Sequence, residues 1–151
     1  MTELTILKGV FLLTGGYIAY EDFRFGKIPK EAVYGIGLLL ILWIFSRGFW
    51  EEHLICGLLS FFFIFALFYS FKFYKKVIPL GGGDLKLFPL LGAFNTLESF
   101  PFFLIYTGLL GIFTALFYRI VLKREKFPLG PALMGGGTLT LFYVPTIDNL
   151  F

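Results

Sequence analysis

The sequence predicts an all-α, polytopic membrane protein of about six transmembrane helices, built as one domain over residues 1–151. Three observations carry this expectation. Hydrophobic residues make up 58% of the chain against 15% charged, with 22 Phe and a mean hydropathy of +0.84; a soluble domain is nearer half apolar and about a quarter charged. The apolar residues gather into six runs. The basic residues gather in alternate stretches between those runs. A helical bundle in lipid satisfies its backbone within each helix, so no large water-excluded core is required. The net charge of +3 is too small to point to nucleic acid.

The first run, Leu4 to Tyr20, is long enough to span. It lacks the basic start and the small-residue cleavage site of a signal peptide. The second is Ala32 to Phe45 and the third Leu54 to Phe71. The fourth, Leu85 to Leu97, is short, carries Pro89 and Gly92, and is reached through a glycine turn. The fifth is Phe100 to Val121 and the sixth Leu129 to Val144. A simple span takes about 20 apolar residues, with latitude for tilt and local thinning. Glycines inside these runs, Gly135 to Gly137 among them, are expected at close helix contacts.

Charge sets the expected orientation. Arg24, Lys27 and Lys30 lie between the first and second runs. Lys72, Lys75, Lys76 and Lys86 flank the third and fourth, and Arg119, Lys123, Arg124 and Lys126 the fifth and sixth. These are eleven of the thirteen bases; Lys8 and Arg47 are the others. Cytoplasmic stretches carry the excess of Lys and Arg. This predicts those three on the cytoplasmic side and both termini outside. The intervening stretches fit, with Glu51 and Glu52 in one and Glu98 in the other.

The single cysteine, Cys56, permits no disulfide within the chain and reads as a small packing residue. His53, beside two glutamates, reads as a solvated or interfacial side chain. One histidine without a cysteine cluster predicts no metal site.

Two acids stand out. Gly81, Gly82 and Gly83 put Asp84 on a bare backbone turn that opens into an apolar run, and Asp22 sits where the first run gives way to charge. A carboxylate in apolar surroundings is costly and points to a task. The predicted topology puts both acids at one membrane depth. A pair of aspartates suits peptide hydrolysis without metal or cofactor: one ionised carboxylate takes a proton from water while the other, protonated, polarises the carbonyl. At roughly 5 Å and an effective dielectric of about 20, their repulsion is about 3 kcal/mol, enough to split the two titrations. Each acid's own helix end predicts Asp84 as the resting base and Asp22 as the proton holder. Gly81, Gly82 and Gly83 are expected to shape the site and admit substrate. Lys86 is expected either to tune Asp84 or to meet substrate, or else to sit as an interfacial lysine. No Gly-Lys-Ser/Thr comes after the glycines, so this is not a phosphate loop.

With these residues in view, the chain resembles the type IV prepilin peptidases and archaeal preflagellin peptidases, which are membrane aspartyl proteases. Gly81, Gly83 and Asp84 fit their Gly-x-Gly-Asp motif. Asp22, Arg24, Ile28 and Pro29 fit a pattern like Asp-x-Arg-x-x-x-Ile-Pro-Asn, with Lys30 in place of the Asn. Pro128, Gly130 and Pro131 resemble a Pro-x-Gly-Pro segment opening the last helix. The resemblance implies an endopeptidase that cuts a short basic leader from type IV pilin-like precursors at the cytoplasmic face of the cell membrane. Its partners would be the precursors and membrane lipid, with no nucleic acid. Longer members carry a cytoplasmic domain with paired Cys-x-x-Cys motifs and methylate the new pilin N-terminus; this sequence has no such cysteines and reads as a short peptidase. The alternative from another class is a small proton- or cation-coupled transporter using Asp22 and Asp84, for which an internal repeat would speak. None is present. An inactive relative would not be expected to keep both acids.

Overall fold

The computed structural model describes residues 2–48, 50–75, 81–123 and 128–143. Six helices cover them: α1 (Thr2–Phe25), α2 (Lys30–Arg47), α3 (Trp50–Lys75), α4 (Gly82–Ala93), α5 (Phe100–Ile120) and α6 (Gly130–Tyr143). No strand occurs among the described residues. Each apolar run has its helix, and two left-handed glycines and a proline mark helix ends. Gly26, with φ 63°, ends α1, and its N–H reaches the Asp22 carbonyl at 2.8 Å. Gly48, with φ 78°, does the same for α2 on the Ile44 carbonyl. Both are left-handed positions that favour glycine. Pro29 is the extended residue from which α2 begins.

Trp50–Ser70 within α3 and Phe100–Ile120 are long and apolar enough to cross a membrane. Only 22% and 11% of those stretches are buried inside the protein. A core helix of a soluble domain would be mostly covered. Here Phe62, Ile112 and Phe113 are exposed, an apolar surface of the kind found at membrane or protein contacts. At about 1.5 Å per residue, the twelve residues of α4 reach about 18 Å, short of a full span.

Two tight pairs, α3 with α4 and α5 with α6, are joined through α1 and α2 and by direct packing of α4 on α6. Small residues set their closeness. A Cβ on Gly92 would overlap the Ser60 hydroxyl, and one on Gly136 would overlap the Thr107 side chain. The centre is filled by Phe11, Ile18, Ile36, Leu87, Leu91, Phe103 and Leu133. The Phe94 ring meets Phe11 edge-on at 5.0 Å and lies 6.0 Å from Trp43. Cys56 is fully buried, as a packing residue should be. His53 corrects the expectation of a solvated ring: it is 1% exposed, and its Nδ1–H donates to the Ala93 carbonyl at 2.9 Å. That carbonyl ends α4 and lacks a partner within its own helix, which draws the ring inward.

Candidate active site

The end of α1 carries Asp22 and the first turn of α4 carries Asp84. Both carboxyls are buried, at 5% and 9% exposure, and they are close enough for the charge of Asp22 to act on Asp84. Both acids lie just beyond the apolar runs, Asp22 in the last turn but one of α1 and Asp84 in the first turn of α4.

Asp84 is the third residue of α4. Its Oδ2 accepts the Gly81 N–H at 3.1 Å, folding the side chain back over the turn as an acid at this position commonly does. Its Oδ1 is buried and has no hydrogen-bond partner among the described residues. Gly81 and Gly82 are exposed, and a Cβ on Gly82 would meet nothing within 4 Å. Gly83 differs: a Cβ there would stand 2.8 Å from the Ile28 side chain. The Ile-Pro stretch after α1 therefore rests directly on the glycine turn, and this contact fixes the two acid-bearing segments against each other.

Asp22 is held from an unexpected direction. Its Oδ2 accepts the Gly130 N–H at 2.7 Å. Gly130 is the first residue of α6, where amide groups lack intrahelical acceptors and the helix end carries partial positive charge. A Cβ on Gly130 would sit 2.6 Å from that same oxygen, so only glycine permits the approach. The last turn of α1 is also held from α5: Tyr118, buried, donates its hydroxyl to the Phe23 carbonyl at 3.5 Å, and the two rings meet edge-on at 5.8 Å.

These contacts bear on the protons. Burial raises the Asp22 carboxyl above its ordinary value, and the Gly130 N–H opposes that rise. Burial pushes Asp84 further, with the charge of Asp22 adding to it and the Gly81 N–H opposing, up to about 6. The Gly130 amide thus supports charge on Asp22, the acid whose own helix end disfavours it. The reason is tertiary. The positive end of α6 reaches Asp22, while Asp84 accepts one longer hydrogen bond, from Gly81.

The glycine turn and both acids therefore come together. Lys86 does not join them: it is exposed, forms no ion pair with Asp84 among the described residues, and lines a neighbouring cleft with Gly82 and Gly83. Sequence reading misses Gly130 and Ile28 as parts of the site. The Pro-x-Gly-Pro segment is the available signal for Gly130, and in sequence it reads only as shaping the start of the last helix.

Residues 9–116 match the Type IV leader peptidase family. The prepilin leader peptidase/N-methyltransferase of Haemophilus influenzae is 36% identical over 151 residues, covering 93% of this chain and 61% of the relative. That of Burkholderia pseudomallei is 30% identical over 128 residues, covering 81% and 41%. That of Vibrio cholerae is 21% identical over 126 residues, covering 82% and 50%. The chain thus spans about half the length of the curated relatives it matches. No solved structure matches it. All three relatives are named as peptidases. With the match running from α1 through most of α5, the chain belongs to the type IV leader peptidase family.

Proposed function

We propose that this chain is a membrane-embedded aspartyl endopeptidase that removes the short basic leader from type IV prepilin-like or archaeal preflagellin-like precursors. Family membership and the names of its relatives support the peptidase and its class of precursor. The observation that carries the reading is the convergence of two buried carboxyls, Asp22 and Asp84, from opposite parts of the sequence. In this reading the six apolar runs lie in the membrane, the two acids stand just beyond them at its surface, and both termini are outside. The distribution of bases supports a site on the cytoplasmic side.

In the proposed mechanism Asp22 is the base and Asp84 the acid. A proton on Asp84 Oδ1 is a donor without an acceptor among the described residues, and a peptide carbonyl placed there completes it. Asp22 takes a proton from water. The water oxygen bonds to the carbonyl carbon as the Asp84 proton passes to the carbonyl oxygen. On collapse the C–N bond breaks, the proton held by Asp22 goes to the departing nitrogen, and a hydroxyl proton returns to Asp84. The pair ends as it began.

The test is cleavage of a purified pilin-like precursor by the purified chain, with Asp22→Ala and Asp84→Ala alongside. Each variant is expected to lose activity by roughly a thousandfold, in the range for removal of a general acid or base. Full activity in either one overturns the assignment.

A further inference from the structure

We propose that the cleft between α2 and α4 holds the phosphate headgroup of an anionic phospholipid, clamped by Lys30 and Lys86. The cleft has a volume of about 280 Å³. Ile28 and Val33 make its apolar wall, and the bare backbone of Gly82 and Gly83 faces them. Lys30, the first residue of α2, and Lys86, in the second turn of α4, come to its rim from segments far apart in sequence. No acid lines it among the described residues. Asp84 is turned into the protein while Lys86 is exposed, and Glu31, also exposed, lies outside the lining.

Depth and charge select the occupant. Lys30 and Lys86 flank the starts of the apolar runs at Ala32 and Leu85, the level at which headgroups sit. Tyr34, 74% exposed at the same rim, is an amphipathic ring of the kind enriched at that level, and its hydroxyl is a further donor. A basic pocket between membrane helices is a recurring headgroup site. Lipid phosphate is also the anion permanently present there, whereas a peptide visits. The inference rests on the membrane reading and is independent of the peptidase reading.

The experiment is native mass spectrometry of the detergent-purified protein titrated with phosphatidylglycerol or phosphatidylcholine. Wild type is expected to retain one phosphatidylglycerol in preference to phosphatidylcholine. Lys27→Gln, which removes an exposed charge outside the cleft, keeps that preference. The double variant Lys30→Gln/Lys86→Gln loses it by roughly 30-fold, the worth of two lysines near a membrane surface. Lys30→Arg/Lys86→Arg keeps it, which separates lost charge from lost fold. An unchanged preference in the Gln double variant overturns the proposal. So does release of the lipid by millimolar inorganic phosphate alone, which would mark a free-anion site. A Gln double variant that keeps its lipid but loses affinity for acid-bearing peptides reassigns the lysines to a peptide. Resistance of the chain to alkaline extraction from membranes checks the membrane reading separately.

Discussion

Gly-Gly-Gly occurs at 81–83, where α4 opens, and again at 135–137, inside α6. In the first copy Gly81 and Gly82 are exposed, and a side chain on Gly82 would meet open space. In the second, Gly136 and Gly137 are buried. A Cβ on Gly136 would overlap the Thr107 side chain and stand 2.8 Å from its backbone, and one on Gly135 would reach 2.7 Å from Leu110. One tripeptide thus has two uses. The buried copy lets α5 and α6 approach backbone to backbone, as small residues do in lipid. The exposed copy keeps side chains off the turn that delivers Asp84. The next residue along the chain tells the copies apart: Asp84 after the first, Thr138 after the second.

Three substitutions put this contrast under pressure. The largest effect is expected at the packed copy. Gly136→Leu drives a side chain into the Thr107 backbone and should cost about 3 kcal/mol or more, read as a fall in the thermal midpoint of the detergent-purified protein. A midpoint equal to wild type would erase the distinction between the copies.

The second sharpens the exposed copy through the acid it carries. The folded-state value of Asp84 lies above its ordinary 3.8, at about 6. The folded protein therefore holds this proton more tightly than the unfolded chain does. Its stability falls as pH rises from about 4 to about 6 and stays lower above that. Asp84→Asn removes the titration. It should stabilise the protein at pH 8 by up to about 3 kcal/mol relative to its effect at pH 4, while abolishing cleavage. Thermal midpoints of both proteins across that pH range are the measurement, and a pH-independent difference would count against the raised value.

The smallest effect is expected for Gly82→Ala. Open space at this position and its place in the first turn predict a stability change within about 1 kcal/mol, toward stabilisation. Precursor cleavage should slow more than the thermal midpoint moves. A large destabilisation would make the exposed copy a packing element after all.

Much of this architecture is legible in the chain. Six apolar runs become six helices because each is bounded by charge, proline or glycine, and α4 starts at the glycine turn. Asp22 and Asp84 stand out because an acid beside an apolar run needs a reason. What stays hidden depends on contacts between segments remote in sequence. The Gly130 amide meets Asp22 across 108 positions, and nothing local to either residue announces it. The support for charge on Asp22 is hidden for the same cause: sequence weighs each acid against its own helix, and this helix end arrives from elsewhere. His53 reads as solvated because its neighbours Glu51 and Glu52 are charged, whereas its partner, the last carbonyl of α4, lies 40 positions on.

Under the proposed mechanism, the hydrogen bond from Gly130 to Asp22 also makes the final helix part of the chemistry. Sliding or tilting α6 by little more than an ångström would strip the first acid of that amide and make it a poorer anion. Reactivity is thereby coupled to how the sixth helix is seated, so a disturbance felt along its length reaches the reacting centre through one backbone amide.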